Sequence, residues 1–368
     1  MLNRWPLARL ALAAFLLTIP AAAEPAVETG EINGAQFRID IPENWNGELL
    51  VYCHGYSLTP GSVDNPRIGE RIAPFLEMGL AVAQSGYAAG GWAIAEAVQD
   101  SEALRRYFIR KHGAPKRTYI TGHSMGGFLT MTLLEEFPDA YDGGLALCGP
   151  LASANWFMAR RVFDLVVVFD YFFPAALPAL DRIPHDFGNT PEYSAALQKK
   201  LSADPAKAAE LRQWSGIRND QELARTVAFF TYIVMDLQKR GGGHPFDNRD
   251  IIYDGTSDDN ALNVGVKRFA ADARAAEYLR TYYTPSGRLE RPMLAIHTTY
   301  DPLVPPWVPN NYETLADSAG SSAMFVQQYV RRAGHCAISG PETAKGLKDL
   351  KAWIEGGAAP EAGDVTVE

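Results

Sequence analysis

Hydrophobic and polar positions in the first 150 residues follow a repeating strand-and-helix pattern. Short runs that alternate in polarity, or that are wholly apolar, indicate strands, and longer runs with apolar positions every three or four residues indicate helices. The predicted strands are residues 36–41, 48–53, 80–84, 117–121 and 143–148, and the predicted helices are residues 93–111 and 125–136. This alternation predicts an α/β fold, with a mostly parallel central sheet and helices on both faces.

The alternation breaks at Pro150 and resumes near residue 291. Residues 151–290 show helical periodicity interrupted by prolines and no convincing buried strand, and this segment is far longer than a connecting loop. Beyond it, the predicted strands are residues 293–298 and 323–330, and the predicted helices are residues 309–319 and 341–355. We therefore expect a core formed by residues 24–150 and 291–368, interrupted by a helical insertion at residues 151–290.

The first 23 residues have the pattern of an export signal. Arg4 and Arg9 supply positive charge, residues 10–19 are a short apolar run, and the alanines at residues 21–23 provide a small-residue cleavage site. The apolar run is too short for a stable anchor across a bilayer, so no stable membrane insertion is expected. The pattern predicts a protein exported to the periplasm or secreted after cleavage; an uncleaved membrane tether is the alternative.

The composition is that of an ordinary folded protein, with 47% hydrophobic and 21% charged residues. The 43 acidic residues outnumber the 34 basic ones, which gives a net charge of -9 at pH 7. Because nucleic-acid binding depends on clustered Lys and Arg, no nucleic-acid partner is expected. The three cysteines, Cys53, Cys148 and Cys336, are too few for a disulfide scaffold and are not spaced as zinc ligands, so no metal is predicted. These patterns leave the oligomeric state open.

The segment Gly122-His123-Ser124-Met125-Gly126 lies between a predicted strand and a predicted helix. A serine at such a sharp turn is held in a strained backbone conformation with its hydroxyl exposed, and small residues on both sides prevent clashes. Gly122 and Gly126 are therefore expected to support the turn, and Ser124 is the candidate nucleophile. A Gly-Ser turn with no catalytic role is the alternative interpretation.

A serine nucleophile needs a base within hydrogen-bond reach and an acid that orients the base. His335 follows the last long predicted strand by a few residues, and Asp301 follows the predicted strand at residues 293–298. Both positions lie beyond strand ends, at the sheet edge where Ser124 is expected, and open parallel sheets place their sites at this edge. The order along the chain is nucleophile, acid, base.

With these residues in this order, the chain resembles the α/β-hydrolase superfamily, and within it serine esterases that carry a large helical cap. The resemblance covers residues 35–356 apart from the insertion, which would then be a cap or lid placed after the sixth strand. It implies that Ser124 is the nucleophile, Asp301 the acid and His335 the base of an acyl-enzyme mechanism that needs no cofactor. It also implies a carboxylic ester as substrate; a serine peptidase and an acyltransferase are the alternatives.

The resemblance further implies an oxyanion hole made of two backbone amides. The first is the amide of Met125, directly after the nucleophile. The second is the amide of Tyr56, in a loop where His54 and Gly55 resemble the family's His-Gly segment and support the donor. The chain departs from the fuller His-Gly-Gly-Gly version because Tyr56 follows Gly55. Either the Tyr56 hydroxyl is a third donor to the oxyanion, or the Tyr56 ring forms a wall of the acyl pocket.

The insertion contains a segment, residues 161–180, that is rich in valine, phenylalanine and tyrosine. If these side chains form a lid, they favour a small-molecule ester with an apolar or aromatic acyl group. If they form the insertion's own core, they carry no information about the substrate. Both interpretations remain open at this point.

The cysteine beside the candidate base raises the question of a disulfide. Some esterase relatives join cysteines next to the catalytic serine and histidine, but here the neighbour of Ser124 is His123. A bond between Cys336 and Cys148 is conceivable. We expect instead that Cys336 is a buried free thiol.

Overall fold

The computed structural model describes residues 26–61 and 63–367, so the predicted export signal lies outside the described residues. The described chain contains one sheet of nine strands. The strands are β1 (Ala26–Ile32), β2 (Ala35–Ile41), β3 (Leu49–Cys53), β4 (Ala81–Ser85), β5 (Thr118–His123), β6 (Gly143–Leu147), β7 (Met293–Tyr300), β8 (Phe325–Ala333) and β9 (Gly363–Asp364). Their order across the sheet is β1-β2-β4-β3-β5-β6-β7-β8-β9.

Helices connect most of these strands. They are α1 (Pro66–Glu77), α2 (Ile94–His112), α3 (Met125–Glu136), α4 (Ala154–Phe157), α5 (Asp164–Phe172), α6 (Pro191–Ala203), α7 (Pro205–Ser215), α8 (Asp220–Gly241), α9 (Asp259–Gly265), α10 (Ala273–Thr281), α11 (Asn310–Ser318) and α12 (Gly340–Ile354). A π-helical segment, Met158–Phe163, joins α4 to α5, and a short 3-10 turn, Ser322–Met324, precedes β8.

The sheet is mostly parallel and is covered on both faces. All strands from β3 to β9 run parallel, whereas β2 is antiparallel to both of its neighbours. Successive residues of β3 point to opposite faces, so that Val51 joins an apolar cluster with α2 and α3, while Leu50 joins another with α1 and α12. The α/β fold predicted from the sequence is therefore confirmed.

Three elements of the sheet layer were not predicted from the sequence. Strand β1 is an edge strand whose side chains are mostly exposed, so it lacks an apolar pattern, and β9 has only two residues. Helix α1 contains Gly69 and Pro74, which disfavour helix, yet Asn65 caps it by accepting a hydrogen bond from the Arg67 amide. The predicted elements agree with the observed ones to within a few residues at each end.

The segment between β6 and β7 folds into the seven helices α4 to α10 and the π-helical segment. The apolar side chains of α5 are buried, and this helix packs against α7, α8 and α9. Most of the apolar run at residues 161–180 therefore lies in the interior of the insertion, as one of the two interpretations expects. No helix among residues 26–61 and 63–367 has both the length and the apolar character to cross a membrane.

Candidate active site

Ser124 lies at the turn between β5 and α3, at the carboxyl edge of the parallel strands. Its backbone has φ 60° and ψ -120°, a conformation that residues with a side chain rarely adopt. A Cβ atom added at Gly126 or at Gly122 would collide with the carbonyl oxygen of Cys53 on the neighbouring strand. Only glycine fits at both positions, which lets the turn approach β3 closely and leaves the Ser124 side chain partly exposed.

His335 connects Ser124 to Asp301 through a continuous chain of hydrogen bonds. The Ser124 hydroxyl donates to His335 Nε2 at 2.8 Å, and His335 Nδ1 donates to Asp301 Oδ2 at 2.6 Å. Ser124 follows β5, Asp301 follows β7 and His335 follows β8. The carboxyl ends of these three parallel strands lie at the same edge of the sheet. The structure thus brings together the nucleophile, base and acid that the sequence predicted.

The carboxylate of Asp301 is buried and accepts hydrogen bonds at both oxygens. Its Oδ1 accepts from the backbone amides of Leu303 and Val304, at 2.9 and 3.0 Å. Burial acts to raise the pKa of Asp301, but the positive charge and hydrogen bond of His335 outweigh burial, and the pKa is lowered. A carboxylate held ionised at this place fixes the tautomer of the imidazole and stabilises the imidazolium.

Two further side chains support the Asp301 loop and were not identified from the sequence. His297 on β7 donates from Nε2 to the Val304 carbonyl at 2.8 Å, and burial lowers the pKa of His297. Arg161, in the π-helical segment, is buried and donates to the Pro302 carbonyl. Burial lowers the pKa of Arg161 to about 10, so the guanidinium stays charged at neutral pH. Arg161 thereby ties the acid loop to the helical insertion.

A disulfide joins Cys336, the residue after the candidate base, to Cys148, the residue after β6. The two Cα atoms are 5.2 Å apart although the residues are separated by 188 positions. The expectation of a free thiol at Cys336 is therefore wrong, and Cys53 is the buried free cysteine. The Ser124 amide also donates a hydrogen bond to the Leu147 carbonyl at the end of β6. The disulfide therefore anchors the loop that carries His335 next to the same strand end that contacts Ser124.

The amides of Tyr56 and Met125 are the two candidate donors to an oxyanion. Neither amide donates to another backbone group in the described part of the chain. A Cβ atom added at Gly55 would lie 3.3 Å from the Ser124 Cβ, which shows how closely this loop approaches the nucleophile. His54 bonds through Nδ1 to the Gly55 carbonyl at 2.7 Å, which supports the loop. The predicted oxyanion residues thus lie beside Ser124.

The hydroxyl of Tyr56 is held by the helical insertion. It donates to Asp236 Oδ2 on α8 at 3.1 Å, and the Asp236 carboxylate also accepts from the Trp92 amide at 2.7 Å and from Arg240 Nε at 3.1 Å. Burial and the charge of Asp236 raise the pKa of Tyr56 well above its usual value. The phenol proton is therefore committed to Asp236, and the ring lines the cleft at Ser124, as the wall interpretation expects.

Replacing Tyr56 with phenylalanine is expected to affect stability more than catalysis. The variant keeps the ring and the backbone amide and loses a hydrogen bond that contributes about 1 kcal/mol. Thermal unfolding should shift to lower temperature, while kcat should fall far less than the roughly 10²- to 10³-fold cost of removing an oxyanion donor. Initial rates on an activated ester and a melting curve check this. A 100-fold loss at unchanged melting temperature would show instead that the hydroxyl stabilises the oxyanion.

A surface cleft of about 320 Å³ opens at Ser124 and His335. It adjoins a second cleft of about 730 Å³ with which it shares Phe229, Leu303 and His335. The lining of the first cleft combines apolar and basic side chains; it includes Ile68, Phe229, Leu303, Asn65, Arg67 and Arg71. Clefts of this size hold small acyl groups.

The acidic residues near α9 have local structural partners. Asp258 caps the helix by accepting a hydrogen bond from the Ala261 amide at 2.9 Å, and Asp259 accepts from the Thr256 hydroxyl and amide. Within the described ranges, no group of three or more His, Cys, Asp and Glu side chains is arranged to hold a metal ion.

The sheet and the Ser-His-Asp arrangement are those of the α/β-hydrolase fold. A family model described as serine aminopeptidase, S33, matches residues 84–243, a segment that contains Ser124 and ends before Asp301 and His335. The protein is therefore a hydrolase of this fold, of the serine hydrolase group that includes esterases, amidases and peptidases.

Proteins with several hydrolytic activities are similar to this chain. An o-phthalyl amidase of Xanthobacter agilis is 22% identical over 404 aligned positions, which cover 90% of this chain and 88% of the amidase. Feruloyl esterase B from Aspergillus oryzae has a TM-score of 0.49 at 14% identity, over 90% of this chain and 80% of the esterase. An acylaminoacyl peptidase from Pyrococcus horikoshii has a TM-score of 0.44 at 13% identity, over 90% of this chain but only 41% of the peptidase.

Proposed function

We propose that this protein is an exported serine hydrolase that cleaves carboxylic esters through an acyl-enzyme intermediate. The observation that carries the proposal is the unbroken hydrogen-bond chain from Ser124 through His335 to Asp301, which ends in a solvent-accessible cleft. A serine hydroxyl is a weak nucleophile at its own pKa, and this arrangement supplies the base that it needs.

In the acylation step, Ser124 Oγ attacks the carbonyl carbon while its proton moves to His335 Nε2. The carbonyl oxygen becomes negatively charged, and the amides of Tyr56 and Met125 donate hydrogen bonds to it. Asp301 stabilises the imidazolium that forms. When the tetrahedral intermediate collapses, the bond between the acyl carbon and the leaving oxygen breaks. His335 donates the proton to this oxygen, which departs as the alcohol.

In the deacylation step, water replaces the alcohol. His335 Nε2 takes a proton from the water as its oxygen attacks the acyl carbon, and the same amides hold the new oxyanion. Collapse releases a carboxylic acid and returns the proton to Ser124 Oγ. The cycle consumes one water molecule and restores the free enzyme, and every proton transfer uses residues already within hydrogen-bond reach.

Amide cleavage is the second candidate, because the curated relative is an amidase. The same intermediate forms, with an amine in place of the alcohol as leaving group. An aminopeptidase is less well supported, because among the described residues the charged side chains that line the cleft at Ser124 include Arg67 and Arg71 and no carboxylate. Such a lining repels the positive amino terminus of a peptide. An acyltransferase would differ only in the alcohol that accepts the acyl group.

Export forms part of the proposal. It rests on the charge, apolar run and small residues of the first 23 positions. The Cys148–Cys336 disulfide supports it, because structural disulfides persist in oxidising compartments such as the periplasm and are rare in the cytosol. Amino-terminal sequencing of the protein recovered from a periplasmic fraction tests this part. Recovery of the uncleaved chain in the cytosol would contradict it.

The enzymatic part is tested with a fluorophosphonate, a neutral probe on which an activated serine displaces fluoride. We expect one equivalent of label, mapped by peptide mass spectrometry to Ser124, together with a higher kcat/KM for a phenyl ester than for the anilide of the same acid. Label at another residue, or none, refutes the proposal. A faster anilide identifies an amidase, and acyl transfer to added methanol in preference to water identifies an acyltransferase.

A further inference from the structure

Two arginines of α1 line the cleft that contains the candidate nucleophile. Arg67 and Arg71 lie four residues apart, which places them on one face of the helix, next to each other. Both line the same 320 Å³ cleft as Ser124 and His335. Arg67 is exposed and Arg71 is half-buried, and the Arg71 guanidinium also interacts with the buried Tyr52 hydroxyl. The protein as a whole carries a net charge of -9, which makes a basic cleft unusual on its surface.

Neither guanidinium is neutralised by a carboxylate in the described part of the chain. Most other arginines near an acidic residue form ion pairs, such as Arg38 with Asp64, but no such pair includes Arg67 or Arg71. Glu70 lies on the same helix and lines a neighbouring cleft together with Arg67 and Arg71, but in the described part of the chain it forms no ion pair with either arginine. Like charges at a spacing of four residues repel each other on a helix. An anion bound between them would relieve this repulsion.

The cleft also has apolar lining residues. They are Phe229 of α8, Leu303 of the loop after Asp301, and Ile68 of α1. The adjoining cleft adds a third arginine, Arg225, one turn before Phe229 on α8. The acidic residue of that cleft, Glu222, accepts a hydrogen bond from the Tyr300 hydroxyl at 2.6 Å. A substrate whose carbonyl reaches Ser124 would thus meet both apolar surface and positive charge.

We propose that Arg67 and Arg71 select substrates whose acyl group carries a second, anionic group. The substrate class is the monoesters, and in the amidase alternative the monoamides, of dicarboxylic acids. This inference rests on the proposed function, because it assigns the substrate of the same site. Guanidinium groups bind carboxylates through paired hydrogen bonds, so the free carboxylate is held by the arginines while the esterified one faces the nucleophile. Hydrolysis consumes one water and releases the dicarboxylic acid and an alcohol.

The test compares each monoester with its neutral counterpart. The probes are the monophenyl esters of succinic, glutaric and phthalic acid, each paired with the diester in which the free carboxylate is methylated. Rates of the Ser124→Ala variant are subtracted, because a neighbouring carboxylate can also attack the ester without the enzyme. We expect at least one pair to show a kcat/KM at least tenfold higher for the free carboxylate, mainly through a lower KM, and to lose this preference at high salt.

The arginines are then tested by substitution. In the Arg67→Gln/Arg71→Gln variant, the ratio of kcat/KM between the charged and the neutral ester should fall roughly 10- to 100-fold, as expected for loss of a charge-assisted contact. The Arg67→Lys/Arg71→Lys variant should retain part of the ratio. Arg110→Gln, which removes an equal charge on α2 away from the cleft, is the matched control and should leave the ratio unchanged. The single Arg67→Gln variant, at an exposed position, provides the comparison if the double variant unfolds.

The outcomes separate this inference from the proposed function. Ser124 labelling with equal rates for charged and neutral esters in all three pairs overturns the substrate class and leaves the serine hydrolase standing. A charge preference that survives the Arg67→Gln/Arg71→Gln substitution also overturns it, because other groups would then bind the anion. Failure of the neutral fluorophosphonate to label Ser124 refutes the proposed function itself, independently of the arginines.

Discussion

Replacing Ser124 with alanine is expected to lower kcat for an activated ester by at least about 10⁴-fold, because the nucleophile of an acyl-enzyme mechanism has no substitute. Alanine keeps the Cβ atom, so the unusual backbone at this turn, with φ 60°, imposes the same strain in both proteins. The melting temperature should therefore stay close to that of the unaltered chain. Steady-state kinetics and thermal unfolding of the purified variant check both expectations.

The matched control for this experiment is Ser318→Ala, at an exposed position on α11 that lines neither of the two clefts near Ser124. It should leave both activity and stability unchanged. Retention of more than a few per cent of activity by the Ser124→Ala variant would contradict the mechanism. It would show that another residue attacks the substrate, or that His335 activates water directly.

Removing the Cys148–Cys336 disulfide is expected to produce the largest loss of stability. The bond closes a loop of 188 residues, and by the chain-entropy estimate such a crosslink contributes about 5 kcal/mol to the free energy of unfolding. The Cys148→Ser/Cys336→Ser variant should therefore unfold at a lower denaturant concentration. Its kcat should also fall, because the loop of His335 loses its anchor beside β6.

Reduction with dithiothreitol provides an independent measurement of the same effect. It should lower the stability of the unaltered protein toward that of the double variant and should not affect the variant. Equal stability of the two proteins under oxidising conditions would contradict the prediction. If the reductant destabilised the variant as well, its effect would have to arise from something other than this bond.

The core of the fold could be predicted because its elements have local signatures. The buried strands β3, β4, β6 and β7 are short runs with few charged residues and mostly apolar or small side chains, and the turn at Ser124 has glycines on both sides. The order of Ser124, Asp301 and His335 then placed three distant residues at one edge of the sheet. The edge strand β1 and helix α1 lack such signatures, because one is mostly exposed and the other contains a glycine and a proline.

The parts of the site that sequence did not reveal depend on contacts between distant segments. Arg161 lies in an apolar run, and nothing in that run indicates that its guanidinium reaches the loop after Asp301. Asp236 is one acidic residue of the long helix α8. Two of its hydrogen-bond donors, Tyr56 and Trp92, lie far away in the sequence, and the third, Arg240, lies one helical turn further along α8. The pairing of Cys148 with Cys336 likewise depends on the ends of β6 and β8, which lie on either side of β7, and spacing alone does not reveal it.

The three hydrogen bonds accepted by Asp236 have a consequence for how substrate enters. Asp236 belongs to the insertion, whereas Tyr56 and Trp92 belong to loops of the core, and Arg161 makes a further bond in the opposite direction, to Pro302. A swinging motion of the insertion away from the sheet would break these buried bonds and displace the Tyr56 amide at the same time. Passage along the open cleft breaks none of them, so we expect the insertion to stay in place while small molecules reach the serine from the side.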